Sequence, residues 1–505
     1  MAQFGQKGKN GGIWFVLFFA GITLVSGCSF KGDQEPPQKE EPKGLSINWT
    51  EPVSRDWAEI KKSGVLRMIT SYSSGSYFLH KGIQVGFEYE LIRAFASQND
   101  LALEVIIPAQ GENPYDLLNS GSGDVIAASY TITEERKAVV NFTRPYNLVD
   151  QMVVVSEELG FVPESISQME GIPISIRRNS SYFPTIKTLQ NKGFPISLDL
   201  IGDEIDTEAA LFQVANGNYM ATIADDIFFQ ASSKYMNGLV KGPIIAERDT
   251  IAWAVRKNSP DLENRMNNFL YRHFKFREDG SPKRSAFLNI LRKRYFESGR
   301  QIADYFSPEE RASAYGTISP YDSLIQSVSV EFGIDWVLVT AVAAQESKFD
   351  PASQSWAGAI GLMQVLPRFS EISEDSLYIP EVNVREGVRI LSEHLRHYEY
   401  MDSTNQIAFA LATYNSGLGH LADARRLTID RNDDPSDWDE VSQSLLRLMQ
   451  RKYYKDARYG FARGIETVRY VNEILNRYNT YLAILALSEE EAGMLRTVFG
   501  LKTLN

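Results

Sequence analysis

Two hydrophobic rhythms divide the chain near residue 300, and no single sheet or bundle satisfies both. Before that point, short apolar runs recur: GVLRMIT (Gly64–Thr70), LEVIIPA (Leu103–Ala109), DVIAAS (Asp124–Ser129), MVVVS (Met152–Ser156), PISI (Pro173–Ile176) and ATIA (Ala221–Ala224). Helical stretches separate them, such as EYELIRAFASQN (Glu88–Asn99), with Leu91, Ala94 and Phe95 on one face. Strands alternating with helices predict an α/β module with parallel strands. From Pro320 to Asn479 nearly everything keeps helical period. YDSLIQSVSVEF aligns Leu324, Ile325, Val328 and Phe332, and ETVRYVNEILNRY aligns Thr467, Val471, Ile474 and Tyr478. A chain of 505 residues is too long for one core. The expected order is an α/β module over 57–298, a helical connector over 299–319, an all-α domain over 320–480 and a tail over 481–505.

The start of the chain has a different character. Lys7 and Lys9 precede an apolar run, Ile13–Val25, which small residues and Cys28 follow. That run falls short of the ~20 residues needed to span a bilayer, so it reads as a signal peptide over 1–27. Residues 28–56 are rich in proline and charge and read as a flexible tether. The sequence LVSGC resembles a bacterial lipoprotein signal. The resemblance implies that Cys28, the only cysteine, is lipidated, and that Ser29 after it directs the protein to the outer membrane. A plain secretory signal with an incidental cysteine is the alternative. A net charge of −12 argues against nucleic acid as a partner. Five scattered histidines and one cysteine leave little for a metal site, and no cofactor is expected. His394 and His397 share a helix face but have no third ligand near them in sequence.

In the first module, GFEYELIRAFA and then GDVIAASYTITEERKAVVNFTRPY (Gly123–Tyr146) resemble the solute-binding proteins of bacterial amino-acid uptake systems. The resemblance runs from about Ile60 to Phe296. It implies a bilobal, periplasmic-binding-protein-like fold whose lobes clamp a ligand, with NLVDQMVVVS and GPIIAERDTIAWAV as hinge crossings. An amino-acid head group asks for a guanidinium and an acid. The family pattern puts Arg136 on the carboxylate, Thr131 beside it, Asp225 on the ammonium with Asp226 as a rival, and Ser180 as a further donor. Exposed-arginine and strand-end-acid readings of Arg136 and Asp225 stand beside these.

The second region centres on Glu346. Asp335 is the expected N-cap of the helix WVLVTAVAAQES, which places Glu346 in its last turn. There the helix dipole disfavours a carboxylate, and Val342 and Ala343 supply apolar neighbours. Both effects raise a carboxyl pKa, as a general acid at neutral pH requires. An exposed helix-end glutamate is the plain alternative. Glu346-Ser347, GLMQ (Gly361–Gln364), ATYNSG (Ala412–Gly417) and ETVRYV (Glu466–Val471) together resemble the lytic transglycosylases of the goose-lysozyme-like superfamily. With the solute-binding module and lipoprotein signal, the arrangement is similar to the membrane-bound lytic murein transglycosylase F family. Thr413 stands where that pattern has alanine.

The resemblance implies a lysozyme-like fold and a peptidoglycan lytic exotransglycosylase, a lyase. Glu346 protonates the oxygen leaving N-acetylmuramic acid, then takes a proton from the same sugar's 6-hydroxyl as a 1,6-anhydro ring closes, with no second carboxylate. Ser347 holds the helix end, and Ser355 with Gly358 and Gly361 lets backbone approach the sugar. Met363 and Gln364 line a saccharide subsite, Tyr414 and Asn415 face the cleft, and Tyr470 hydrogen-bonds Glu346. Core packing for Met363 and Tyr470 and a simple cap for Asn415 are the alternatives. Asp350, Glu371, Glu374 and Asp375 remain as acids that a two-carboxylate hydrolase could use. The implied partners are glycan strands, an amino acid or wall-derived peptide in the first module, and the outer membrane. A tethered wall-binding sensor without catalysis is the third reading.

Overall fold

The computed structural model describes residues 51–486 apart from 74, 110, 111, 204 and 299–316. Cys28, the signal, most of the tether, nearly all of the connector and most of the tail lie outside the described residues.

The first module is two α/β lobes. One five-stranded sheet runs in the order Ala102–Ile106, Val65–Ile69, Val125–Ile126, Ala254–Val255, Asn141–Phe142. The other runs Leu239–Ile251, Asn147–Ser156, Ala221–Asp225, Pro173–Arg177, Ser197–Ile201. The helix Phe87–Gln98 buries Phe87, Leu91, Ile92 and Phe95 against the first sheet. Both sheets are mixed, which corrects the expectation of parallel strands. Asn147–Ser156 and Leu239–Ile251 run antiparallel to each other, and Asn147–Ser156 also runs antiparallel to Ala221–Asp225. The physical reason is that these long strands are the two crossings between lobes: the chain passes out along one and back along the other. Both predicted hinge segments are therefore where the sequence puts them.

The second region is helical. Its core helices are Asp322–Phe332, Trp336–Ser347, Pro380–His397, Ser403–Ser416, Leu418–Asp430, Trp438–Arg447 and Gly464–Leu485. Trp336–Ser347 is buried nearly all round, from Val337 to Ala344, as expected of a helix apolar on every face. Gly464–Leu485 continues past the predicted domain edge at 480 because Tyr481 and Ile484 are buried there.

That overrun joins the two regions. Thr480 donates to the Val105 carbonyl at 3.3 Å, and the Tyr481 hydroxyl donates to the Gly82 carbonyl at 2.7 Å. Tyr77, Leu79, Tyr89 and Val105 of the first lobe share one apolar core with the helical domain. Gly82, with φ +82°, lies under the Phe349 ring so closely that a Cβ there would come within 2.3 Å of it. The hairpin Phe78–Val85 of the first lobe therefore touches the loop that leaves Glu346.

Candidate active site and ligand cleft

The Asp335 side chain accepts from the Val337 amide at 2.8 Å and starts the helix that ends on Glu346-Ser347. The chain then turns away sharply, because Lys348 and Phe349 both take left-handed conformations, with φ of 54° and 63°. Such conformations cost free energy in residues with a side chain and recur at functional sites. Ser347 fastens the helix end, its hydroxyl lying 2.9 Å from the Leu362 carbonyl and 3.2 Å from that of Ala343.

The Glu346 side chain is half-buried, and the Tyr470 hydroxyl donates to its Oε1 at 2.5 Å. Burial pushes its pKa from the ordinary 4.5 up to about 7, and the Tyr470 hydrogen bond pulls the other way. Burial, followed by the nearby Glu346 charge, drives the Tyr470 and Tyr414 phenols well above their usual range, so both remain donors. The Tyr414 hydroxyl donates to the Met363 carbonyl at 2.7 Å, which joins the ATYNSG helix to the GLMQ loop. Asn415 is exposed, and its Oδ1 accepts from the Thr467 hydroxyl at 3.0 Å. The Ser355 Oγ accepts from the Ala359 amide at 3.0 Å, so this side chain shapes its own turn. Gln364 (φ 48°) ties back to the Ser353 and Gly361 carbonyls at 3.1 and 3.0 Å. Thr413 has a structural use, pairing with the Tyr398 hydroxyl at 2.9 Å.

Met363 departs from expectation. Its side chain is fully buried and packs on Gly387, where a Cβ would fall 2.4 Å from it. It fills core rather than lining a sugar subsite, and what it offers to the site is its carbonyl. The sequence reading also missed two positioning residues. Asn383 is buried, accepts from the Met363 amide at 2.8 Å, and donates to the Ile360 and Leu377 carbonyls at 2.8 Å each. Gln345 bridges Glu473 and Arg477 at 2.8 and 2.9 Å, tying the Glu346 helix to the last helix. Replacing Tyr470 by Phe removes the interaction that favours the Glu346 anion. The alkaline limb of the pH–rate profile is then expected to move upward, with kcat falling about tenfold, as steady-state assays across pH 5–9 report.

In the first module, the short bridge between Thr131 and Ile251 seats the first lobe's ligand segment against a hinge strand. Arg136 donates to the Thr131 carbonyl at 2.8 Å, and its guanidinium lies 4.6 Å from the Tyr130 ring centroid. Asp225 ends its strand in the second lobe, buried, with Oδ1 unpartnered among the described residues. Burial, then Asp226 and Asp249, lifts its pKa to about 8, and Arg136 opposes that rise. Arg136 and Asp225 therefore sense each other between the lobes. Asp226, the rival, accepts from the Asp150 amide at 3.1 Å on the hinge. Ser180 departs from expectation, because its hydroxyl proton goes to the Arg177 carbonyl at 2.8 Å. That bond braces the turn before a helix and leaves no free donor for a ligand.

Fold and sites together define a bilobal binding module fused to a lysozyme-like transglycosylase domain. Residues 66–281 match the family of bacterial extracellular solute-binding proteins, family 3, and residues 323–436 match the transglycosylase SLT domain. The chain is 31% identical to the membrane-bound lytic murein transglycosylase F of Desulfosudis oleivorans, over 83% of this chain and 90% of that protein. It is 28% identical to the protein of the same name from Shewanella loihica, over 93% and 92%. An ancestral arginine-binding protein solved with arginine is 23% identical, covering 46% of this chain and 98% of that one with a TM-score of 0.39. The chain belongs to the membrane-bound lytic murein transglycosylase F family.

Proposed function

We propose that this chain cleaves the β-1,4 bond from N-acetylmuramic acid to N-acetylglucosamine as a lytic transglycosylase, with Glu346 as its one acid–base group. The observation that carries the assignment is a half-buried carboxyl with a pKa of about 7, held by Tyr470 at the end of a buried helix. Protonated Glu346 gives its proton to the glycosidic oxygen as the bond to the anomeric carbon breaks. The resulting carboxylate takes the proton of the muramic acid's 6-hydroxyl while that oxygen bonds the anomeric carbon. The substrate's acetamido group assists, and no water is consumed. Among the described residues no carboxylate is named with the groups that shift Glu346, and exposed Asp350 accepts from the Ala352 amide at 2.9 Å. Both facts favour a single-carboxylate route. Ser355, Gln364, Tyr414 and Asn415 form the rim on which the glycan rests, and Ser347 and Tyr470 hold the acid.

The first module binds a small ligand, an amino acid or wall-derived peptide, through Arg136, Thr131 and Asp225. Its occupancy alters turnover through the Gly82–Phe349 contact, provided the ligand favours one arrangement over another. The protein works in the bacterial envelope. No helix among the described residues is long and apolar enough to cross a membrane, and lipidated Cys28 anchors the chain at the outer membrane. Mass analysis of the sugars released from purified peptidoglycan tests the reaction. Products are expected to end in 1,6-anhydro-muramic acid, one water lighter than a reducing end. Reducing ends would support the two-carboxylate hydrolase, and wall binding without turnover would support the sensor.

A further inference from the structure

Resting on the reading of the helical domain as a glycan-cleaving enzyme, we propose that Trp356 and Arg463 form a substrate subsite at one end of its cleft. The indole takes the apolar face of a muramoyl sugar, and the guanidinium takes a carboxylate of the peptide stem which that sugar carries.

Trp356 is 87% exposed, more than any other large hydrophobic side chain among the described residues. An aromatic of that size ordinarily fills a core or an interface. The turn that displays it is closed twice. The Gly358 amide donates to the Ser355 carbonyl at 3.0 Å, and Ser355 Oγ accepts from the Ala359 amide. Below the tip, the Gly361 amide donates to the Ser353 carbonyl at 2.8 Å, and Gln354 and Ile360 form an antiparallel bridge. The loop therefore holds a bare indole in solvent as a fixed feature.

Arg463 meets it from another element. Its guanidinium carbon lies 5.6 Å from the indole ring centroid. Arg463 is the N-cap of the helix Gly464–Leu485, and a Cβ on Gly464 would fall 2.2 Å from the Leu445 carbonyl oxygen, so the helix start is fixed. Along that helix Arg463, Thr467 and Tyr470 stand at i, i+4 and i+7, on one face. Thr467 holds Asn415 of the rim, and Tyr470 holds Glu346. The Trp356 loop runs on through Gly361 to Gln364, also of the rim. Seven helical residues rise about 10.5 Å, which puts the pair beside the sugars next to the bond being cut rather than over Glu346.

Charge decides which part of the substrate Arg463 meets. Where each lactyl group is amide-linked to its stem, the glycan is neutral and the carboxylates belong to the stems. The planar fork of an arginine suits a carboxylate, and the positive end of a 22-residue helix adds to the attraction. Within the protein Arg463 pairs with Glu466 at 3.5 Å, but both side chains are exposed, and such a pair is weak enough to exchange for substrate.

The test gives the full chain two substrates: un-crosslinked peptidoglycan strands with acetylated stem amines, and the same strands with their stem carboxylates converted to methylamides. The wild type is expected to show a KM at least about fivefold lower on the carboxylate strands, with kcat differing by less than about twofold, the scale of one solvent-open charge-assisted contact. Arg463→Gln should bring the two KM values within about twofold of each other. Trp356→Ala should raise KM on both strands by about threefold or more without lowering the melting temperature. Equal KM values in the wild type overturn the proposal, as does a preference that survives Arg463→Gln. A Trp356→Ala variant that melts earlier and loses kcat at constant KM also overturns it, since that is the behaviour of a loop brace. Failure to release anhydro-muramic products from either strand removes the transglycosylase reading and the proposal with it.

Discussion

Glu346→Gln is expected to lower turnover on purified peptidoglycan by roughly three orders of magnitude, because one side chain both donates and recovers the proton. The same change should leave the fold more stable at pH 8. The sign follows from linkage. The folded-state pKa is raised from 4.5 to about 7, so the contribution of this carboxyl is present in full below pH 4.5 and lost as pH rises through about 7. Glutamine has no proton to lose and escapes that loss. Each pKa unit is worth about 1.4 kcal/mol, and with the side chain open to solvent on one side a gain of about 2 kcal/mol is expected above pH 8. The gain should vanish near pH 4.5. Thermal unfolding at the two pH values, beside anhydro-muropeptide yield at neutral pH, reports both effects. A variant that still cuts glycan at the wild-type rate would remove Glu346 from the mechanism. A variant less stable at pH 8 would show that the carboxyl is not held against ionisation.

The features legible in the sequence are those that depend on neighbours along the chain. Asp335 as an N-cap, the apolar run behind it and the placing of Glu346 in the last turn all rest on helical spacing, and all are present. Gly417 closes the ATYNSG helix with φ +82°, as a glycine just past a helix end does. The hinge strands are legible only through the resemblance to solute-binding proteins. What could not be read depends on distant partners. Burial of Met363 is decided by Gly387 on another helix, and the tie of Ser180 by a turn whose geometry no motif announces. Strand direction in the hinges follows from the chain crossing twice between lobes, which local patterning does not encode. Asn383 lies in PEVNVREGV, where no motif singles it out, and only the folded loop shows what its amide serves.

For that reason Asn383 gives the second large expected effect. Its side chain holds three backbone groups of the 360–377 segment: the Met363 amide and the carbonyls of Ile360 and Leu377. Asn383→Ala leaves all three buried without partners, at about 1–3 kcal/mol each where no water replaces the amide. A total of about 4 kcal/mol is a reasonable expectation, large for a single substitution. The loss should not be confined to stability. Met363 supplies the carbonyl that Tyr414 binds, and Leu362 the carbonyl that Ser347 binds, so loosening this loop loosens the tie to the ATYNSG helix and the brace of the Glu346 helix end. Turnover should therefore fall at temperatures where the variant is still folded. Asn383→Asp separates the two contributions. The carboxylate keeps an acceptor for the Met363 amide but turns negative oxygens toward two carbonyls, so it should be no more stable than the alanine variant at pH 7 and recover as pH falls and the acid becomes protonated. Chemical denaturation at pH 7 and pH 4.5 measures this directly. Wild-type stability in both variants would mean that the loop is held by its glycine turns and helix packing, with Asn383 a passenger.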